Sequence, residues 1–337
     1  MKLAVVGAAV LWGTAGTAGL LVAGVDPVSL AAARLVIGGL VLAIAAGPAM
    51  RSAASRRIGT SPQVSLRTRT PPVSPSTGTP PVSPRTGTPS TWFRTGSPAP
   101  ASLRLGTLLP AAVAVAAYQL CYFAAVSRTG VAIGTVVAIG SGPVFTGLLS
   151  WMLDRVPPTR RWAGATAVAI IGCAVLTGGG GEARADGILL ALLGGLLYAF
   201  YAVTAARVIS GGASSDAVMG VMFGGAAVVM VPVLLWTGTG WLAEPRGLLT
   251  ALYLGCATTA LAYFLYGRGL RTTPVATAAT LALAEPAVAA LLGVAVLGER
   301  LTLVSVAGLL LLGASLVAVA LPERAGRAAG ETVPVAP

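Results

Sequence analysis

Glu285 and Arg34 are charged side chains that lie well inside long apolar stretches of the sequence, where charges are rare. A charge at the centre of a membrane helix costs about 2.5–3.5 kcal/mol on insertion scales, so each one calls for a reason. Glu285 directly precedes Pro286. It could exchange a proton, bind a ligand, or as a neutral acid hydrogen-bond the groups that the proline frees. Arg34 could meet an anionic group, pair with an acid, or bond to backbone carbonyls.

Pro143 and Pro286 each stand in the middle of an apolar run. A proline leaves the carbonyl four residues earlier without its usual helical partner, and a bilayer tolerates such groups where they are buried or line a wet cavity. Ser141 and Gly142, beside Pro143, would let a ligand approach the backbone closely. Both could equally serve helix contacts, and each proline could be a plain kink.

Six of the seven tyrosines form closely spaced pairs, and each pair falls on one face of a helix. The pairs are Tyr118/Tyr122, Tyr198/Tyr201 and Tyr263/Tyr266. Together they could line a cavity with apolar walls and hydroxyl groups. The alternative is a belt at the membrane interface, which suits Tyr266 best. Gln119 is a further polar candidate, and Trp12 could be a cavity wall or part of the core.

The composition places these residues in a membrane protein. Of the 337 residues, 55% are hydrophobic and 9% are charged, whereas a soluble domain carries about 25% charged residues. The sequence contains no histidine, and its three cysteines stand singly in apolar runs. These features argue against serine–histidine catalysis and a histidine-ligated metal, and they predict no cofactor, no metal and no disulfide framework.

Ten continuous apolar runs, each close to the roughly 20 residues that a helix needs to cross a bilayer, predict ten transmembrane helices. They cover residues 3–22, 27–47, 105–126, 131–151, 161–178, 187–207, 217–236, 248–267, 274–297 and 302–321. The weakest is the fifth, which begins beside Arg160 and Arg161. The sequence thus predicts an all-α integral membrane protein, and the even number of runs puts both termini on one side.

The basic residues set the expected orientation. Cytoplasmic loops carry an excess of Lys and Arg, and most basic residues fall on the side of the termini. We therefore predict a multi-pass protein of the plasma (cell inner) membrane with both termini in the cytoplasm.

The segment 51–104 differs from the rest of the chain. It holds eight arginines, ten prolines and a nine-residue repeat, TPPVSPSTG (70–78) followed by TPPVSPRTG (79–87). Such a stretch has little apolar surface to bury and is predicted to be disordered. It could be an arm that binds anionic lipid or an expanded loop without a task. Because it carries much of the net charge of +12, that charge does not predict a nucleic-acid partner.

The two halves of the sequence resemble each other. YFAAVSRTGVA (122–132) aligns with YGRGLRTTPVA (266–276), and Pro143 then matches Pro286. Repeat one would comprise residues 1–50 and 105–178, and repeat two would comprise residues 187–321. A cytoplasmic tail, residues 322–337, would follow. Each repeat has five spans, an odd number, so the second must enter the membrane from the opposite side. Inverted repeats are typical of secondary transporters, whose substrate site lies near the midplane.

The chain also resembles the EamA family of the drug/metabolite transporter superfamily. The resemblance rests on LWGTAGT (11–17), AEP (284–286), GERLT (298–302) and Gly308. It implies ten helices in two inverted repeats and secondary transport, often export, of amino acids or other small metabolites. The proline-rich insert departs from the family pattern, and the first half has LDRV (153–156) in place of LGER.

The sequence thus predicts a transporter, not an enzyme, that moves small organic solutes by alternating access, with export as the expected direction. Its partners would be the solute, a coupling proton or cation, and the lipid bilayer. No G-x-x-x-x-G-K-[ST] sequence is present, which argues against ATP hydrolysis. The alternatives are a non-transporting scaffold that uses the proline-rich arm and an intramembrane lipid-modifying enzyme.

Overall fold

The computed structural model describes residues 2–22, 24–58, 105–155, 157–178 and 184–321, and every regular element within these ranges is helical. The helices are α1 (Lys2–Gly19), α2 (Pro27–Ile58), α3 (Leu105–Asp154), α4 (Arg160–Thr177), α5 (Ala185–Ser210), α6 (Ser215–Thr237), α7 (Pro245–Gly255), α8 (Ala262–Leu270), α9 (Val275–Ala282), α10 (Ala284–Leu297) and α11 (Leu303–Ala320). A π-helical turn, Cys256–Leu261, joins α7 to α8. Residues 51–58, predicted as the start of the disordered insert, form the last two turns of α2. From residue 59 onward the insert lies outside the described residues, and so does the tail 322–337.

Eight stretches of the described chain are long and apolar enough to cross a membrane. They are Lys2–Val22, Pro27–Ala49, Gly106–Asp154, Ala185–Ser210, Ser215–Thr237, Pro245–Leu270, Val275–Leu297 and Leu303–Ala320. The chain is therefore an all-helical integral membrane protein. The sequence predicted ten spans. The two numbers differ because the third and fourth predicted runs lie within one 49-residue stretch and because the fifth run, which corresponds to α4, is not among the eight. Two arginines in the first turn of α4 lower its mean hydropathy.

Helix α3 folds back on itself at Gly130, whose backbone has φ 80° and ψ 162°. The Tyr122 hydroxyl lies 3.0 Å from that of Thr135, thirteen residues later, although a straight helix would separate these residues by about 20 Å. Only glycine adopts such a φ without strain. We refer to residues 105–129 and 131–154 as the first and second arms of α3.

Local sequence signals mark several helix starts. The Asp26 carboxylate accepts a hydrogen bond from the backbone nitrogen of Val28 at 2.9 Å, and Pro27 is the first residue of α2. Thr159 and Thr302 cap α4 and α11 by accepting from backbone nitrogens three residues later. These caps satisfy donors that a helix leaves unpaired at its first turn.

One end of the helical bundle holds both ends of the described chain. The Lys2 ammonium donates to the carbonyl oxygens of Val319 and Ala320, at 3.1 and 2.9 Å. Arg207 forms an ion pair with Asp154 at 2.6 Å at the same end. We call it the terminal end, and the other the distal end, where Arg128 pairs with Asp186 at 3.2 Å.

Helices α4 and α11 pack closely and run in opposite directions. A Cβ added to Gly172 would lie 2.7 Å from the backbone nitrogen of Leu312, and one added to Gly308 would lie 2.9 Å from the Gly172 carbonyl oxygen. Arg161, at the start of α4, donates to the carbonyl of Ala318 near the end of α11. Close backbone approach through glycine is the usual way in which membrane helices gain packing contacts.

The two prolines that the sequence singles out have different backbone surroundings. Pro286 follows an interruption at Leu283, which separates α9 from α10. Pro143 lies inside the continuous second arm of α3. Only the second half of the chain therefore has a broken helix at this matched position among the described residues.

Candidate functional site

A cavity of about 560 Å³ lies between α1, α2 and the two arms of α3 in the first part of the chain and α4, α5 and α7 to α10 further along it. Its lining reaches the distal end of the bundle at Gly19, Val131 and Thr177. Its volume falls in the usual range for a small-molecule site. We refer to it as the distal cavity.

The distal cavity is lined by most of the residues that the sequence analysis proposed for a site. These are Trp12, Arg34, Tyr118, Gln119, Tyr122, Pro143, Tyr198, Tyr263, Glu285 and Pro286. The chain places them on seven different helical segments, so only the tertiary fold brings them together. Phe123, Thr135 and Glu299 also line the cavity, and the sequence analysis did not propose them. For Glu299 a signal existed, because it belongs to the GERLT motif.

Three proposed residues lie behind the cavity wall. A Cβ added to Gly142 would lie 3.0 Å from the ring of Tyr198, so this glycine makes room for that ring. Ser141 packs against Gly195 of α5 and donates to the Ala138 carbonyl at 3.2 Å. Tyr201 is buried, with 2% of its surface exposed.

Arg34 and Glu285 both line the cavity, yet they form no direct ion pair with each other within 4.0 Å. The Nε atom of Arg34 is buried and has no hydrogen-bond partner among the described residues, and neither has Nε1 of Trp12. Both groups can only donate. The described side chains therefore leave both N–H groups without a hydrogen bond. A buried donor without an acceptor costs about 1–3 kcal/mol.

The tyrosines of α5 and α8 form two crossed hydrogen-bonded pairs. The hydroxyls of Tyr198 and Tyr266 lie 3.2 Å apart, and so do those of Tyr201 and Tyr263. In each pair one ring lines the cavity and the other is buried behind it. The Trp12 ring packs at a tilt against the rings of Tyr263 and Tyr266, with its centroid 5.0 and 5.5 Å from theirs.

Tyr266, the tyrosine that best suited an interfacial belt in the sequence analysis, is buried among the helices. It has no exposed surface, and the Trp12 ring packs against it. Its buried position follows from α8 packing against α1 and α6, which no local sequence pattern specifies.

A second cavity, of about 660 Å³, opens at the terminal end, and Lys2, Asp154 and Arg207 contribute to its lining. Trp162, which also lines it, donates from Nε1 to the Thr280 hydroxyl at 3.1 Å. The Thr166 hydroxyl lies 2.9 Å from the same oxygen. Thr280 is followed in α9 by Ala282, which lines the distal cavity. The Trp162–Thr166–Thr280 cluster thus joins α4 to α9 between the two cavities.

Comparison with known proteins identifies the family. Residues 82–178 and 185–321 match the sequence model of the EamA-like transporter family. The chain belongs to this family. It is 38% identical to the uncharacterized transporter YwfM of Bacillus subtilis (strain 168) over 216 residues. The aligned region covers 64% of this chain and 73% of the relative.

A crystal structure of a protein with 19% sequence identity covers 95% of both chains with a TM-score of 0.69. At this level of identity the likeness shows the fold alone. Membership in the EamA-like family and the similarity to a transporter identify the chain as a multi-pass membrane transporter and point away from an enzyme.

Proposed function

We propose that this member of the EamA-like family is a secondary transporter that exports small organic metabolites, amino-acid-like or drug-like, by alternating access. The observation that carries the proposal is the distal cavity, where an acid, a base and an aromatic wall converge on one space. Such a space suits amphipathic solutes, because rings cover their apolar part while Arg34 and Glu285 meet polar groups.

The architecture proposed for this function is ten helices in two inverted five-helix repeats. The fold-back of α3 at Gly130 supports it, because each arm is long enough to cross the bilayer. The antiparallel packing of α4 against α11 supports it as well, since these would be the fifth helix of each repeat. The second arm of α3 runs from Val131 at the distal cavity to Asp154 at the terminal cavity, whereas α9 and α10 run the opposite way.

Alternating access requires a site that faces either end of the bundle in turn. Two cavities approach the middle of the molecule from opposite ends, and the Trp162–Thr166–Thr280 cluster stands between them. The break at Leu283 supplies a place where α9 and α10 can change angle. Opening that cluster while the distal side closes would pass a solute from one cavity to the other.

Glu285 is the proposed coupling residue, with a proton or another cation as its partner. It is the acid that lies in the first turn of α10, next to the helix break, and it faces the cavity. Neutralising it by a proton would remove the charge that opposes movement through a low-dielectric interior. Both termini are proposed to lie in the cytoplasm, and the plasma membrane is the proposed location.

The test is transport in vesicles that contain the purified full-length chain and an imposed pH gradient. A panel of amino acids, nucleosides and sugars is first screened for uptake. Glu285→Gln is expected to reduce proton-driven flux more than tenfold while expression persists, because the variant cannot exchange a proton. Glu244→Gln, which changes an exposed acid outside the cavity, serves as the control. Unchanged flux in Glu285→Gln would remove Glu285 from the mechanism, and no flux of any solute would contradict transport.

A further inference from the structure

The second cavity, of about 660 Å³ at the terminal end, has two buried hydroxyl groups in its lining that lack a partner. We refer to it as the terminal cavity. The hydroxyl oxygens of Ser150 and Thr273 form no hydrogen bond within the described part of the chain. Thr273 has only 4% of its surface exposed. Buried hydroxyls are normally paired, so two unpaired ones beside one cavity point to a ligand that pairs with them.

The first turn of α9 brings backbone donors to the same cavity. This helix begins two residues after Thr273, and residues 275–277 all line the cavity. The first of the N–H groups of α9 to find an acceptor in its own helix is that of Ala278, which donates to the carbonyl of Pro274. Pro274, the N-cap residue, supplies no side-chain hydrogen bond. The three preceding N–H groups can only donate, and the positive end of a helix attracts anions.

Charged side chains give the terminal cavity a positive balance. Lys2, Arg161 and Arg207 line it, and Asp154 is the one acid among the described lining residues. The Asp154 carboxylate already pairs with Arg207 at 2.6 Å. The Lys2 ammonium donates to two carbonyl oxygens at the end of α11, which orient it but do not neutralise its charge. An anion that enters this cavity therefore meets more positive than negative charge.

Packing between helices brings these groups to one place. The Trp162 ring of α4 packs on Gly147, one turn before Ser150 in the second arm of α3. Nε1 of the same ring donates to Thr280 of α9 at 3.1 Å. The second arm of α3, the start of α4 and the first turn of α9 thus meet at the terminal cavity, and a ligand there would contact all three.

We propose that the terminal cavity contains a binding site for a phosphate-type group. Its donors are the backbone N–H groups of residues 275–277 and the hydroxyls of Ser150 and Thr273, and the basic residues of the lining supply the charge. A phosphate ester offers three strong acceptor oxygens, whereas a carboxylate offers two, so a phosphate can use more of these donors at once. The cavity is larger than one phosphate, so the group can belong to a phospholipid headgroup or to a soluble phosphate. The site is separate from the distal cavity, and the inference goes beyond the proposed transport function.

Titration of the purified full-length chain with defined anions tests the site. Inorganic phosphate, phenyl phosphate and acetate are compared by calorimetry in nonionic detergent at matched ionic strength. The phosphates are expected to bind at least about tenfold more tightly than acetate, because they engage more charge-assisted hydrogen bonds.

Mixed micelles distinguish a lipid from a soluble source of the phosphate. Thermal unfolding is measured with dioleoylphosphatidate and with dioleoylglycerol, which lacks the phosphate. Stabilisation by phosphatidate without binding of the soluble phosphates would assign the site to a lipid headgroup, and the opposite result would assign it to a soluble ligand. The inference would be overturned if no phosphate of either kind bound, or if acetate and dioleoylglycerol acted as strongly as their phosphate counterparts.

Two variants place the bound phosphate in the terminal cavity. Thr273→Val keeps the shape of the side chain without its hydroxyl and is expected to weaken phosphate binding about fivefold. Thr272→Val, which changes the exposed neighbour outside the lining, is the matched control. Asp154→Asn should tighten binding about fivefold, because it removes a negative charge and releases Arg207. A purely structural role of Asp154 would not tighten binding. Unchanged affinity in both Thr273→Val and Asp154→Asn would mean that phosphate binds elsewhere, and the assigned site would fall.

The binding measurements and the vesicle assay fail independently. Phosphate binding by a chain that transports no solute would support the site and contradict the proposed function. Solute transport by a chain that binds no phosphate would support the proposed function and contradict the site.

Discussion

Arg34 illustrates how a single residue can be costly for the fold and useful for the site. Its guanidinium lies in a largely apolar helix, and its Nε atom is buried without an acceptor among the described residues. Replacement of buried ionic groups by apolar ones is often neutral or stabilising. A positive charge retained at such a position points to a ligand more than to packing.

We therefore expect Arg34→Met to separate stability from function. The free energy of unfolding should stay the same or rise by about 1–2 kcal/mol, because a poorly satisfied charge is removed. Binding of the solutes that the unaltered chain transports should fall more than tenfold, because Arg34 lines the distal cavity. Thermal unfolding in detergent and calorimetric titration measure the two effects, with Arg246→Met, an exposed arginine in the first turn of α7, as the control. A loss of stability with intact solute binding would show that Arg34 is a packing residue.

At the scale of single residues, the sequence indicated which side chains are unusual but not which side chains they contact. Glu285, Arg34 and the two prolines stand out because charges and helix breakers are rare in apolar runs. The crossed pairing of the tyrosines does not appear in the sequence, because α5 and α8 lie far apart along the chain and meet only in the tertiary fold. The spacing of the pairs indicated a shared helix face, but not which ring would line a cavity.

At the scale of helices, the Trp162–Thr166–Thr280 cluster is a polar contact between α4 and α9 in otherwise apolar surroundings. Thr280 is fully buried, and its hydroxyl serves both Trp162 and Thr166. Hydrogen bonds between membrane helices average about 0.6 kcal/mol and reach about 1.7 kcal/mol. The cluster should therefore hold the helices together without preventing their separation, as a gate between two cavities requires.

Thr280→Val keeps the shape of the side chain but removes the oxygen that both partners use. We expect a loss of about 1–2 kcal/mol in the free energy of unfolding, because the Trp162 indole N–H loses its acceptor and the Thr166 hydroxyl loses its partner. Thr280→Ser retains the hydroxyl and serves as the control for it. A double-mutant cycle with Trp162→Phe checks the assignment, since the two changes should be less than additive. Full additivity would mean that the indole and the hydroxyl do not interact.

The helices themselves were largely predictable, and their breaks were not. Predicted runs such as 187–207 and 217–236 lie within α5 and α6, because apolar length is a strong signal of a membrane helix. The π-helical turn at Cys256–Leu261 escaped prediction; Gly38 of α2 packs closely against Gly255 and Thr259 there, a contact that arises only in the tertiary fold. The interruption at Leu283 was indicated by Pro286, but Pro143 shows that the same residue type need not break a helix.

At the scale of the molecule, the relation between the two halves connects the fold to transport. The sequence repeat is weak, because most positions that face lipid accept any apolar residue, and only glycines, prolines and a few polar residues keep a recognisable order. The family model matches 82–178, which contains the third to fifth predicted spans, and 185–321, which contains the whole of the second predicted half. The antiparallel course of α4 and α11 is what an inversion of one half relative to the other would produce.

Accessibility labelling of the fourth and ninth predicted spans would test this inversion directly. The three native cysteines are first replaced by alanine, and single cysteines are then placed at exposed positions that flank the two spans. These positions are Ser127 and Arg300 near the distal end, and Pro158 and Thr272 near the terminal end. We expect a membrane-impermeant maleimide to label the first two in intact cells and the last two only after permeabilisation, because the spans run in opposite directions.

A cysteine in place of Ala32, which is fully buried, should stay unlabelled in both conditions. Labelling of Ser127 and Thr272 from the same side would mean that the spans are parallel, and the inverted repeat would then fail. Labelling of all four positions from the reversed sides would preserve the repeat but place the termini outside, because the two halves would still be inverted relative to each other.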